Sequence, residues 1–403
     1  MIALGCFDSD VSETACKSYL ADLSHITRVP ISDIEAGPDR VALRRYVPEQ
    51  PNAMSVADVQ RALRSIGFFP GGKPDGICGY RTYSAIRLFQ EYVRSVEKLE
   101  CVPDGRFGPK SQAHLQRWVD ERLLPDWSST VDSWQADTLQ RTEYTSWLAL
   151  LNEMKERCLA NPNRMLQMVN AYPKPSDTRK VAQWDFSPQQ HVHLIGIRRN
   201  SVSGKFDDIF VLLVKGLVFK FQGSTEPGAT KHSVGAPFLV LGQHDYHFGW
   251  HQKRYLALRP RSLDTGVLVV RSKDMNFDEG DLANGLERNP SINIHWGGKG
   301  LKFDVKNWSE GCQVITGSVY LNHHDQLIDC SAFAAANRAE LEANPSKTRG
   351  AYNVLVDLVT AFASDMGGNE VKYTLLAQEH LDLAPDLRNG LADATSRVVS
   401  RLK

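Results

Sequence analysis

Cys312 lies in the run Asn307-Trp308-Ser309-Glu310-Gly311-Cys312-Gln313, and His295 precedes it by 17 residues in Ile294-His295-Trp296-Gly297-Gly298. A thiol becomes a strong nucleophile near neutral pH by giving up its proton, and an imidazole held beside it can take that proton. The chemistry such a pair performs is acyl transfer. The thiolate attacks an amide carbonyl, the imidazolium protonates the leaving amine, and a thioester waits for an acceptor. The step calls for backbone N–H groups near Gly311 and Cys312 aimed at the developing oxyanion. Glycines at 297, 298 and 311 would let a substrate backbone approach closely. The bland alternative is a buried thiol and a satisfied core histidine.

Other chemistry-bearing residues compete. His244, His247 and His251 sit in Gly242-Gln243-His244-Asp245-Tyr246-His247-Phe248-Gly249-Trp250-His251. Spacings of three and four suit metal ligands on a helix, but Gly249 and the aromatic residues favour a strand, where those spacings fall on differing faces. Contact with a substrate groove by Tyr246, Trp250, His251 or Tyr255 is a better use of this stretch than metal binding, with plain packing the remaining alternative. His323-His324 reads as a solvated loop pair. The seven cysteines contain no CxxC pair, so structural zinc is not expected. A Cys78–Cys101 bridge is conceivable, with buried free thiols preferred. No metal or other cofactor is expected.

The elements that must position Cys312 and His295 are β-rich. Runs at 191–197, 208–214, 217–221, 255–258, 267–270 and 292–295 are short, apolar and punctuated by Gly, Pro and Asp. Residues 331–365 return to helix, 370–376 supplies a closing strand, and the tail after 380 is helical. Upstream, residues 120–180 carry helical patterning (Trp134, Leu139, Tyr144, Trp147, Leu148, Leu151, Met154) whose Trp and Met residues read as core. Residues 1–54 end in a Pro-containing stretch that reads as an extension and linker.

Between them lies an internal repeat. Pro74-Asp75-Gly76-Ile77-Cys78-Gly79-Tyr80-Arg81-Thr82 is echoed at an offset of 29 by Pro103-Asp104-Gly105-Arg106-Phe107-Gly108-Pro109-Lys110-Ser111. Asp-Gly predicts a tight turn, the second Gly a left-handed residue, and Thr82 or Ser111 a helix cap. Apolar stripes at helical spacing flank both copies: Val56, Val59, Leu63 and Ile66 before the first, Ala85, Ile86, Phe89 and Tyr92 after it, Leu115 and Trp118 after the second. The fold class is therefore multidomain α+β. It divides into 1–54, a small helical bundle at 55–119, a helical connector at 120–180, a mostly-β domain at 181–380 and a helical tail at 381–403.

Composition narrows the function classes. The formal charge is zero, from 47 basic and 47 acidic side chains, which gives nucleic acid or an anionic membrane no default claim. No apolar run approaches the ~20 residues needed to span a bilayer. The N-terminus has neither the basic start nor the apolar core of a secretory signal. That leaves a cytosolic protein, export by a route independent of such a signal, or a trimmed N-terminus.

Residues 55–93 resemble the type 1 peptidoglycan-binding domain, through Val59, Gln60, Leu63, Gly67, Phe68, Asp75, Gly76, Ile77, Gly79, Thr82, Ala85, Phe89 and Gln90, with a second half-copy to about 119. The resemblance implies a peptidoglycan partner, although such modules also serve as spacers. Residues 190–378 resemble the L,D-transpeptidase (YkuD-type) catalytic domain, most strongly at 292–316. This resemblance makes Cys312 the nucleophile and His295 its base, with Ser309 and Gly311 shaping the acyl pocket. Trp296, Gly297, Gln313, Tyr255 and His251 join as substrate contacts. Glu310 stands where that family has a second histidine; a carboxylate there could orient His295 or a cationic amine of the substrate. The implied function is a peptidoglycan-directed cysteine acyl-transfer enzyme acting on stem peptides in the bacterial envelope. Two alternatives stay open: a hydrolase delivered as an effector or phage lysin, and an inactive wall-binding scaffold. Acceptor identity and oligomeric state are not legible.

Overall fold

The computed structural model describes all residues except 28–29, 37–40, 69–71, 134–141, 188–191, 200–203, 229–232, 253, 263, 301–303, 363–369 and 401–403. Trp134, Leu139 and His191 fall outside the described residues. The architecture is α+β: a helical N-terminal region followed by a mostly-β region built on a closed barrel.

One hydrogen-bonded sheet runs in the order Ile294–Trp296, Tyr255–Pro260, Gly242–His251, Glu370–Ala377, Val192–Arg198, Asp208–Val214, Leu217–Ser224, Gln313–Leu321, with Leu327–Asp329 as an outer flap. Ile294–Trp296 also pairs with Gln313–Leu321, and that pairing closes the barrel. Most neighbours are antiparallel. The exceptions are Glu370–Ala377 with Val192–Arg198 and the closing pair itself, both parallel.

Period-2 alternation sorts the apolar side chains. Val192, Leu194, Phe210, Leu212 and Val214 join the core shared with helices Val56–Ser65, Tyr80–Ser95 and Ala351–Phe362. Ile195, Ile197, Ile209, Val211 and Leu213 point the other way, into a cluster with Tyr144, Trp147, Leu151 and Met154. The helix Glu143–Ala160 is thus the cover of one sheet face as well as a connector. Leu387 and Leu391 of the tail helix Pro385–Ser400 enter the same cluster.

In the helical region the two Asp-Gly loops are built alike, by a glutamine on the preceding helix. Gln60 Nε2 donates to Asp75 Oδ1 (2.8 Å), Ile77 O (3.1 Å) and Thr82 Oγ1 (2.8 Å), and Gln60 Oε1 accepts from Gly76 N. Gln90 Nε2 faces Asp104 Oδ1 (3.5 Å), Arg106 O (3.0 Å) and Ser111 Oγ (3.0 Å), and its Oε1 accepts from Gly105 N. Both glutamines are buried, so each network replaces water that the amide would otherwise bind.

Two local expectations change. The left-handed residues are Gly76 and Gly105, whose φ values are +72° and +76°, whereas Gly79 and Gly108 are extended N-caps. Thr82 and Ser111 are therefore buried partners of the glutamines and not caps.

The segment read as extension and linker is also built in. Cys6–Phe7 pairs with Arg44–Arg45. Ile2 exchanges backbone hydrogen bonds with Phe107, Cys78 N donates to Cys6 O, and Asp8 N donates to Gly76 O. The Asp8 carboxylate takes Val56 N (2.7 Å) and Ala57 N (2.8 Å) at the start of the next helix, where negative charge is favoured. The helical region is locked to the barrel domain by the buried Arg87–Asp357 pair (Nε···Oδ1 3.1 Å). All seven cysteines are free thiols, Cys78 and Cys101 included.

Candidate functional site

The closing strand pair of the barrel brings the two predicted groups together. Ile294 stands opposite Gln313, and Gln313 N donates to Asn293 O (2.8 Å). Cys312 therefore sits beside Asn293, two residues from His295 and on the same side of the strand. Cys312 and His295 line one cavity of about 560 Å³ together with His251, Arg259, Trp308 and Glu310.

Cys312 is part-buried, and its Sγ accepts from Asn293 N (3.4 Å) and donates to Ser291 O (3.3 Å). Burial pushes the thiol up to about 11. Asn293 N–H and Arg259 oppose the rise, and the Glu310 carboxylate adds to it. His295 is buried, with Nδ1 2.8 Å from Trp296 O. A carbonyl only accepts, so Nδ1 carries the proton and Nε2 of the neutral ring is the basic nitrogen. Burial holds His295 down to about 4, against the pull of that carbonyl. The resting pair is a neutral thiol and a neutral imidazole, with no hydrogen bond between them among the described residues.

His251 stacks on His295, ring centroids 4.0 Å apart at 23°, and Asn293 Nδ2 donates to its Nδ1 (3.0 Å). Burial, then the neighbouring His295 and the arginines 259 and 254, depress His251 to about 2. The orientation of the His295 ring thus comes from Trp296 O and the stacked His251. Tyr255 Oη lies 3.4 Å from His295 Nδ1, and Tyr255 and Trp296 line the adjoining cavity.

Several expected roles move. Ser309 Oγ donates to Cys312 O (2.6 Å) and accepts from Gly311 N (3.0 Å), so Ser309 ties the loop beneath the thiol. Gly311 N–H is thereby already used, which leaves Cys312 N–H as the candidate oxyanion donor of the two. Gly311 is required for space and conformation: φ is +135°, and a Cβ would lie 2.5 Å from Pro237. A Cβ at Gly298 would strike the Trp308 ring, and one at Gly297 would press on Phe206 and Val314. Neither glycine lines the Cys312 cavity; Gly297 borders a separate one with Phe206 and Trp308. Gln313 is buried and reaches across to a non-adjacent strand, accepting from Tyr373 Oη (2.9 Å) and donating to Thr225 O (3.2 Å). It is not a substrate contact.

Asn293, Ser291 and Arg259 were not singled out from sequence. The signal for Asn293 was present, since it alternates with His295 in the strand pattern Ile292-Asn293-Ile294-His295. Asn293 Oδ1 and Arg259 Nε are buried without a hydrogen-bond partner among the described residues.

The histidines of 242–251 do not converge. His244 is buried against Thr178 Oγ1 (2.9 Å) and Val240 O (3.0 Å), and burial lowers it to about 3. Tyr246 is core, with its Oη donating to Ile292 O. The His323-His324 pair lies in a turn as expected and His324 is exposed, but His323 packs on Trp127 and Phe219, and the two Nε2 atoms bond the two oxygens of Asp126 at 3.0 and 2.7 Å. Among the described residues these three are the His/Cys/Asp/Glu set whose ligand atoms come within 4.8 Å.

With this geometry in place, the comparisons bear on one end of the chain. The family model for a peptidoglycan-binding domain matches residues 53–94, the first Asp-Gly copy and its flanking helices. No curated protein and no solved structure matches the chain. The protein thus carries a peptidoglycan-binding domain and a cell-wall context with it. Among the described residues no helix is long and apolar enough to cross a membrane.

Proposed function

We propose that the protein is a peptidoglycan-directed cysteine acyl-transfer enzyme of the L,D-transpeptidase kind, acting on stem peptides. The observation that carries this reading is that Cys312 and His295 face one cavity from the two strands that close the barrel, with Nε2 left as the basic nitrogen of His295. The wall-binding match at 53–94 supports the choice of substrate.

In this mechanism an amide carbonyl enters the cavity beside Cys312 N–H. The thiol leaves Ser291 O and gives its proton to His295 Nε2 as sulfur attacks the carbonyl carbon. Because the thiol is raised to about 11 and the imidazole lowered to about 4, proton transfer accompanies attack instead of preceding it. The S–C bond forms, the C–N bond breaks, and His295 returns its proton to the departing amine. An amine acceptor then yields a new amide, and water yields a carboxylate.

A second reading, an inactive wall-binding scaffold, draws on the same protonated thiol bonded to Ser291 O. Intact-mass measurement after incubation with muropeptides separates the two. An acyl adduct on Cys312, or product formation lost in Cys312→Ala, is expected. Binding without adduct or product would leave the scaffold. Chromatography of the products distinguishes cross-linked dimers from trimmed peptides.

A further inference from the structure

Away from the Cys312 cavity, a turn of the barrel domain meets the segment that follows the helical module. Asp126 comes just after helix Pro109–Asp120 and beside Trp127. The Trp127 ring packs on Phe68 and Tyr92 of the module and on Phe362 of the barrel domain. His323 and His324 lie in the turn between strands Gln313–Leu321 and Leu327–Asp329.

The two imidazoles converge on the one carboxylate. His323 Nε2 lies 3.0 Å from Asp126 Oδ1, and His324 Nε2 lies 2.7 Å from Oδ2. A carboxylate only accepts, so each Nε2 carries a hydrogen here. The donor atoms of all three residues fall within 4.8 Å of one another. In a tetrahedral zinc site, ligand atoms 2.0–2.1 Å from the ion stand about 3.3 Å apart. Closing the widest gap thus takes no more than about 1.5 Å, a swing that the exposed His324 ring can make.

The protonation states suit a cation. Burial opposes the Asp126 charge, but the bond to His324 and the nearby His323 bring its carboxyl below the usual range. Burial lowers His323, which is therefore neutral at pH 7 and able to ligate. His323 Nδ1 is buried with no hydrogen-bond partner among the described residues, so nothing there fixes the tautomer and the proton can move to Nδ1. An ion then takes the place of the two Nε2 hydrogens.

The surroundings hold the ligands in place. Tyr92 Oη accepts from Asp126 N (3.0 Å) and also bonds the Asp126 carboxylate. Asn322 Oδ1 accepts from His324 N (3.0 Å) and Gln326 N (2.9 Å), which fixes the histidine turn. Such outer partners set the orientation of metal ligands. The exposed side of His324 gives the ion an entry path and leaves room for water as a fourth ligand.

We propose that Asp126, His323 and His324 form a binding site for a divalent transition-metal ion such as Zn²⁺, which clasps the segment after the module to the barrel domain. Two imidazoles and one carboxylate favour such an ion over Ca²⁺ or Mg²⁺, which take oxygen ligands. The site is independent of the acyl-transfer reading. The plain rival is a joint made by the two hydrogen bonds alone.

The test is titration of the full-length, chelator-treated chain with Co²⁺, followed by visible absorption, with Zn²⁺ as competitor. One Co²⁺ per chain is expected, displaced by Zn²⁺ and lacking the sulfur-to-metal charge-transfer band of a cysteine site. His324→Ala should weaken binding by about 100-fold or more, since loss of an outer partner alone costs 10–100-fold. His324 is exposed, so this variant opens no core. Asp126→Asn should also weaken binding, and His25→Ala, an exposed histidine elsewhere, should not change it. Excess Zn²⁺ should raise the melting temperature of the wild-type chain and not of His324→Ala, because the three ligands meet only in the folded chain. No stoichiometric Co²⁺ binding, a sulfur charge-transfer band, or equal affinity in His324→Ala would each overturn the site. The first of these would leave the hydrogen-bonded joint.

Discussion

The two Asp-Gly loops and the Cys312 cavity treat buried polar atoms in opposite ways. In the module, one glutamine per repeat engages the loop aspartate, a loop carbonyl, the glycine N–H and a helix hydroxyl. In the cavity, Asn293 Oδ1 and Arg259 Nε have no partner among the described residues, and Cys312 keeps its proton on a backbone carbonyl. Buried polar groups left unpaired cost stability, so a fold retains them where something else gains. The repeated residues of the module accordingly explain its shape, while the cavity holds the groups still available to a ligand.

That contrast can be broken most sharply by Cys312→Ala. Turnover of muropeptides is expected to vanish with sacculus binding unchanged, as read by product chromatography and pelleting. Retained turnover would remove the mechanism.

Next in size is Gln60→Ala, which strands Gly76 N–H and takes one partner each from Asp75 and Thr82. A loss of about 3 kcal/mol is expected in denaturant unfolding. Gln116→Ala, on an exposed helix face, should change stability by less than about 0.5 kcal/mol. Equal effects would mean that the glutamine networks carry no special weight.

A smaller effect concerns pH. His295 is held at about 4 in the folded chain, against about 6.5 when unfolded. Above pH 6.5 neither state takes the proton. As pH falls from there toward 4, the unfolded chain takes a proton that the folded chain refuses. Relative to His295→Gln, the wild-type protein should then lose about 1 kcal/mol per pH unit across that window. Parallel stability curves would show that the ring is not held neutral.

The smallest change expected is in Glu310→Gln. Removing a carboxylate that raises the thiol should speed iodoacetamide alkylation of Cys312 at pH 8 by a few-fold, and unchanged or slower alkylation would contradict the electrostatics described.

Much of the fold is legible from local pattern. Strands with unbroken apolar runs, such as Asp208–Val214, and helix stripes such as Val56, Val59 and Leu63 announce themselves, because a strand buried on both faces is apolar throughout and a helix buried on one face repeats every 3.6 residues. The repeat and its glycines were equally readable, although the glutamine that builds each loop had to be seen in place. At the site, the Cys–Gly and His–Trp runs were visible, but Gln313, Ser309 and Glu310 are neighbours of Cys312 in sequence with quite different surroundings. Strand alternation turns Gln313 away from the cavity, the loop bond to Cys312 O ties Ser309 beneath the thiol, and Glu310 lines the cavity wall.

What the chain alone determined are the elements, the wall-binding module and the residue types able to do thiol chemistry, since each depends on short spacings. Tertiary structure decided the rest: the closure of Ile294–Trp296 onto Gln313–Leu321, the stacking of His251 on His295, and the meeting of Asp126 with His323 and His324. Those are long-range pairings, set by how the barrel closes and where the module docks, and no local period encodes them.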